Sequence, residues 1–248
     1  MTDTELLTKR FRELAKKGEN YFTFTDFLGL SEQSVLKSAL SDFPQSYTLF
    51  GGALGCERVM ARFGSPSELG YEENFPIRII EISPKSEKFA ERLTHRDYLG
   101  AILNLGIERD ILGDIIIREY KAYLFIKEDM LDFVTGSLTR IRHTEVVLKE
   151  ATELPEGELF RTKRIKIQAN GERVDAVVAK VFSLSREDSS LLFKRGLVFI
   201  NGAECLSVSK ALHPSDIVSV RGYGRFIYCG YESLSKKGKL NIDIDLYI

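Results

Sequence analysis

Cysteine is scarce in this chain of 248 residues. The three that occur, Cys56, Cys205 and Cys229, are odd in number, far apart and without a Cys-x-x-Cys pair. That spacing supports neither a disulfide framework nor a zinc site, and His95, His143 and His213 are too scattered to restore one. Long apolar runs are also missing: none approaches the roughly 20 residues that span a bilayer. Met1-Thr2-Asp3-Thr4-Glu5 lacks the apolar centre of a secretory signal, so a cytoplasmic protein without a membrane segment is expected. No repeat or low-complexity tract is present. The glycine cluster Gly51-Gly52-Ala53-Leu54-Gly55 is not followed by strand, loop and long helix in dinucleotide-binding order, so it reads as a wide turn. No cofactor, metal or membrane partner is implied, and a monomer is expected.

What is present is ordinary for a folded protein, with 44% hydrophobic and 29% charged residues, and the length suits two or three domains. A net charge of −1 hides a polarised chain. Residues 161–240 hold 15 Lys+Arg against 7 Asp+Glu, whereas residues 1–160 hold 20 against 27. A basic segment on an acidic body suits directed docking on nucleic acid, because only one part attracts phosphate.

The basic segment has a readable order. Val174, Val177, Val178, Val181 and Phe182 follow the spacing of a helix that buries one stripe, and Arg173 and Lys180 flank it. Ser185 is a good N-cap for a second helix, with Asp188 placed to reciprocate, and Arg186 follows in a first turn where a cation opposes the macrodipole. Lys194 and Arg195 suit that helix's C-terminal end, and Gly196 suits a left-handed cap. Val198 to Ile200 reads as a strand, and Asn201-Gly202 is a preferred pair for a tight hairpin turn. Ile217 to Val220 and Arg225 to Tyr228 then flank Arg221-Gly222-Tyr223-Gly224, where glycine permits close backbone approach and arginine supplies forked donors. Alternating Leu240, Ile242, Ile244, Leu246 and Ile248 provide a closing strand.

This segment resembles an S4 (alpha-L) RNA-binding domain, the module shared by a small-subunit ribosomal protein, many pseudouridine synthases and bacterial tyrosyl-tRNA synthetases. The resemblance covers about a quarter of the chain. It implies RNA-facing roles for Arg173, Lys180, Ser185, Arg186, Lys194, Arg195, Asn201, Arg221 and Arg225. Asn201 is also a turn former and Ser185 also a cap.

Upstream, residues 1–75 read as a small N-terminal α/β domain. Leu6, Leu7, Phe11, Leu14 and Ala15 form a helical stripe, Ser31 could cap a second helix, and Tyr47–Phe50 and Arg58–Phe63 suit strands. Residues 76–155 read as strand, helix, two strands, helix and strand: Ile77–Ile82, Thr94 to Leu105, Asp114–Glu119, Tyr123–Lys127, Asp129–Leu138 and Thr144–Leu148. That βαββαβ order is RRM-like or ferredoxin-like. The fold class expected is therefore α+β, with domains at 1–75, 76–155 and 161–248. Tyr123 and Phe125 faintly echo the aromatic strand on which RRM domains stack bases, but core packing is the favoured reading.

The run from Thr94-His95-Arg96-Asp97-Tyr98 through Ile107-Glu108-Arg109, followed by Leu112-Gly113-Asp114-Ile115, resembles the YlmH-type S4-domain proteins of Gram-positive bacteria. With the C-terminal segment the likeness spans nearly the whole chain. It implies binding to ribosomal RNA and tRNA on the large ribosomal subunit, in ribosome-associated quality control of stalled nascent chains. From the residues themselves, His95 and Arg96 could hold a phosphate as a second RNA contact. Equally, Thr94 and Asp97 could form a cap beside an exposed His95.

The competing class is an RNA-modifying enzyme, pseudouridine synthase-like, which an S4 domain would deliver to its RNA. Glu172-Arg173-Val174-Asp175 looks superficially like that family's aspartate motif, but it is already used by the first helix of the basic segment. Synthetase and methyltransferase signatures are also missing. No catalytic residue is expected.

Overall fold

The computed structural model describes residues 2–41, 47–155, 160–236 and 238–247. The chain forms two compact units, 1–159 and 160–248. Both mix helices with antiparallel sheet, which makes the protein α+β.

Unit 1–159 begins with α1 (Asp3–Lys17), which Thr2 and Glu5 start with a reciprocal capping box. Phe11 and Ala15 of α1 are buried. Then come β1 (Thr23–Phe24), α2 (Leu30–Ala39), β2 (Tyr47–Phe50), β3 (Met60–Phe63) and α3 (Pro66–Leu69). The order β1-β3-β2 makes a small sheet. The sequence placed the cap of α2 at Ser31; it lies at Gly29, whose N–H donates to the Glu32 carboxylate at 2.6 Å. A glutamate reaching back satisfies that donor without a side chain on the capping residue.

The same unit continues through β4 (Ile77–Pro84), α4 (His95–Leu103), β5 (Leu112–Arg118), β6 (Lys121–Lys127), α5 (Leu131–Ser137), β7 (Arg140–Ile141) and β8 (Thr144–Glu150). Their sheet runs β5-β6-β4-β8-β7, with every neighbouring pair antiparallel. Ile80, Ile82, Leu124 and Ile126 alternate onto one face and share a core with Tyr98 and Ile102 of α4 and Val134 of α5.

The opposite face is partly covered by the N-terminal residues. Phe125 is fully buried there, and a Cβ on Gly52 would stand 2.3 Å from its ring, at a backbone φ of 98° that also favours glycine. The glycine cluster is thus a packing loop against the larger sheet. Arg58 strengthens the join, donating to the carbonyls of Phe27 and Leu112, both at 2.8 Å, and of Arg109 at 3.1 Å. The Asp114 carboxylate accepts the backbone N–H groups of Glu57 at 2.5 Å and Arg58 at 3.4 Å. Burial and the neighbouring Arg58 guanidinium bring Arg109 down to about 10.

Unit 160–248 contains β9 (Thr162–Ala169), α6 (Val174–Val181), α7 (Arg186–Lys194), β10 (Val198–Ile200), β11 (Ala203–Glu204), β12 (Ile217–Val220), β13 (Gly224–Leu234) and β14 (Leu240–Tyr247). Its antiparallel sheet runs β11-β10-β12-β13-β14-β9. Val174, Val177 and Val178 of α6 and Leu192 and Phe193 of α7 pack onto Val218, Phe226, Ile242 and Ile244. Ile248 lies outside the described residues.

Candidate nucleic-acid interface

The side chains expected to face RNA divide into three groups in unit 160–248. Lys180, Arg186, Lys194 and Arg195 form the first: all four are exposed, and none makes an ion pair among the described residues. Arg186 is the first residue of α7, and Lys194 the last. At 1.5 Å of rise per residue they stand about 12 Å apart along the axis. The Ser185 hydroxyl accepts the Asp188 N–H at 3.0 Å and donates to the Asp188 carboxylate at 2.6 Å, which fixes the start of the helix. At the other end Gly196 has φ 64°, and Leu197 N–H bonds the Leu192 carbonyl at 3.0 Å, while Gly196 N–H bonds that of Phe193, also at 3.0 Å. This is a Schellman closure, and it holds Lys194 and Arg195 at the helix terminus.

Arg173 forms the second group. It is the N-cap of α6, with φ −63° and ψ 133°, and its guanidinium makes a two-pronged pair with Asp175 at 3.0 and 2.9 Å. That carboxylate raises the Arg173 pKa. Ser189, fully buried, donates to the Asp175 carbonyl at 2.9 Å and so ties α7 to the first turn of α6. Arg173 and Arg186 flank this tie from two helix starts. Arg173→Ala should therefore weaken RNA binding by less than Arg186→Ala, since Asp175 competes with phosphate for its guanidinium. Filter binding of the two variants side by side checks this: an equal or larger loss at Arg173 would show that the Asp175 pair opens at no cost.

Residues already engaged in the hairpins form the third group. The Asn201 side chain accepts the Ile217 N–H at 2.9 Å and donates to Asp216 at 2.8 Å, while its φ of 51° and the 77° of Gly202 make the tight turn. Arg221 lies over the Phe199 ring at 5.4 Å and Arg225 over Tyr247 at 4.0 Å. Phe182, just after α6, packs against Tyr223 with ring centres 5.8 Å apart. That contact brings the Lys180 end of α6 to the Arg221 to Arg225 turn. The site thus joins helix cations to a glycine-arginine turn, the means by which a backbone surface neutralises phosphates.

In unit 1–159, Thr94 and Asp97 close a capping box on α4: Thr94 N–H reaches the Asp97 carboxylate at 2.8 Å, and Asp97 N–H reaches the Thr94 hydroxyl at 3.4 Å. His95 and Arg96 are exposed beside it. Desolvation and the Arg109 charge hold the His95 imidazole below its ordinary value, so at neutral pH it would act as a hydrogen-bonding group and not as a cation. Tyr123 and Phe125 are buried, as core packing required, and offer no stacking platform. Sequence reasoning gave no weight to β7, whose two residues carry no periodic signal, nor to Lys85, Arg140 and Arg142 around it.

Residues 71–154 match the family model described as the putative RNA-binding domain in YlmH. The chain is 29% identical over 231 residues to the ribosome-associated protein quality control protein P2 of Bacillus subtilis (strain 168), covering 89% of this chain and 86% of that protein. The chain is thus similar to YlmH proteins over most of its length. A solved structure, the cell division protein ylmH from Streptococcus pneumoniae, is 27% identical, covering 61% of this chain and 92% of its own, with a TM-score of 0.49. Within the matched residues, Arg109, Gly113 and Asp114 have a physical role. A Cβ on Gly113 would meet both Phe27 and Phe125 at 2.8 Å, so the run that carries the family likeness is also where the N-terminal residues lock onto the larger sheet. Among the described residues no helix is long and apolar enough to cross a membrane.

Proposed function

We propose that this protein is a cytoplasmic, monomeric, cofactor-free RNA-binding factor that works on the large ribosomal subunit. It holds ribosomal RNA and tRNA during quality control of stalled nascent chains. Residues 161–248 act as an S4-type domain, residues 76–155 as an RRM-like domain whose strands run β8-β4-β6-β5, and residues 1–75 as a small domain fastened to it. The observation that carries the reading is the set of exposed cations Lys180, Arg186, Lys194 and Arg195, without an ion pair among the described residues, on two helices and the cap of the second, beside a glycine-arginine turn. The name of the Bacillus subtilis relative supports the ribosomal setting. Catalysis has no part in this reading.

Crosslinking in cells followed by sequencing of the bound RNA tests it: large-subunit ribosomal RNA together with tRNA is the expected catch. A single modified substrate RNA would favour an enzyme instead. A second expectation follows from the two compact units. Residues 160–248 alone should fold and bind RNA, while selectivity for the ribosomal particle should need the acidic unit, which repels phosphate except at a matching surface. Sedimentation of the fragment with large subunits as selectively as the full chain would overturn that division of labour.

A further inference from the structure

Unit 1–159 is acidic, with 20 Lys+Arg against 27 Asp+Glu, yet its charge is unevenly placed. Residues 85–97 and 140–145 hold six Lys+Arg and four Asp+Glu, leaving fourteen against twenty-three elsewhere in the unit. These two segments meet at the sheet edge formed by β7 and β8. Lys85 N–H bonds the Glu145 carbonyl at 2.9 Å, and Glu91 N–H bonds the Thr144 hydroxyl at 3.2 Å. A cleft of about 510 Å³ opens there, lined by Lys85, Ser86, Arg140, His143, Thr144 and Glu145.

The turn between β7 and β8 has only two residues, Arg142 and His143, since Ile141 pairs with Thr144. Arg142 has φ 53°, the left-handed region that glycine or asparagine fills at lower cost. An arginine held there places its guanidinium at the tip. It reaches Asp97 at 3.4 Å and Glu91 at 3.9 Å, but Asp97 already accepts from Thr94. Glu145 is shared between Lys85 at 3.3 Å and Arg140 at 3.6 Å. Exposed pairs of this kind are weak and exchange readily for phosphate. Arg92 and Arg96, both exposed, extend the surface and make no ion pair among the described residues.

We infer that the β7–β8 edge, with Lys85, Arg140, Arg142 and His143 flanked by Arg92 and Arg96, is a second RNA-backbone contact, separate from the helices of unit 160–248. The inference rests on the RNA-binding reading above and assigns a surface within the matched residues 71–154. It reads backbone and not bases, because the sheet's aromatic residues Tyr123 and Phe125 are buried.

The test uses the full chain, with deproteinised large-subunit ribosomal RNA and intact large subunits as separate probes. Arg140→Gln combined with Arg142→Gly should bind the RNA about 10-fold more weakly. Its log–log salt slope should be shallower by about 1.4 to 1.8, from roughly 0.7 to 0.9 per lost phosphate contact. Arg142→Gly alone should melt no earlier than the parent, since glycine relieves the backbone at φ 53°, yet should still bind less well. Parental affinity and slope in the double variant, with binding lost in Arg186→Glu/Lys194→Glu, would overturn the edge site and leave the S4-type reading standing. Weakening on intact subunits but not on RNA would overturn it in favour of a protein partner. A parent chain that binds neither probe would overturn both.

Discussion

Asp114→Ala should destabilise unit 1–159 by about 2–4 kcal/mol. The carboxylate accepts two backbone N–H groups, from Glu57 and Arg58, and it offsets charge on Arg58 and Arg109, both of which burial holds below their ordinary range. Removing it leaves donors without an acceptor at about 1–3 kcal/mol and two half-buried guanidiniums with less compensation. Glu32 and Glu57 retain part of the field, which keeps the cost below that of a fully buried pair. Chemical denaturation followed by a probe in each unit checks the result, because the transition of unit 160–248 should not move. An unchanged midpoint for unit 1–159 would show that the Leu112-Gly113-Asp114 run has no part in holding the N-terminal residues to the sheet.

Charge reversal at both ends of α7 should have the largest effect on binding. Arg186→Glu/Lys194→Glu replaces two exposed cations that make no ion pair among the described residues, and lost charge-assisted phosphate contacts of about 1–3 kcal/mol each predict a combined loss of about 2–6 kcal/mol. Stability should hold or rise slightly at the Arg186 end, where a carboxylate suits the positive helix terminus, and fall slightly at the Lys194 end, where it opposes the negative one. Leu192→Ala is the contrasting variant: that side chain is buried against the sheet, and its truncation should cost about 2–5 kcal/mol of stability. Melting and ribosome cosedimentation separate the two behaviours. Arginine and lysine variants that melt early yet still bind would show α7 to be structural, and the RNA face would have to move.

Local chemistry was legible in the sequence. Ser185 with Asp188, Gly196 after α7, Asn201-Gly202 in a tight turn and Thr94 with Asp97 all stand where their types imply, because caps and turns depend on a few neighbouring residues. Long-range pairing was not. β9 carries Ile165, Ile167 and Ala169 at alternate positions, but Lys163 and Arg164 before them and Lys166 among them read as a charged tract until β14 supplies the ladder, with Arg164 against Asp245. β13 runs on to Leu234, past a register shift after Tyr228 that interrupts the alternation.

Arg173 shows how a site residue escapes local rules. Two positions apart on a helix, Arg173 and Asp175 would diverge, but Arg173 precedes the helix in extended geometry and its guanidinium turns back onto the carboxylate. Gly52 was readable as a turn but not as the residue lying on Phe125, seventy-three positions later in the chain. Charge segregation, by contrast, was visible from counting alone, and it led to the helix cations.

The dependence of RNA affinity on salt tests the electrostatic interface most directly. With four to six phosphates neutralised by the exposed cations of unit 160–248 and the turn beside them, the log–log slope for residues 160–248 alone should lie at about −3 to −5. Arg186→Glu/Lys194→Glu should flatten it by about 1.4 to 1.8. Tight binding with a slope near zero, unchanged in that variant, would contradict the interface described here.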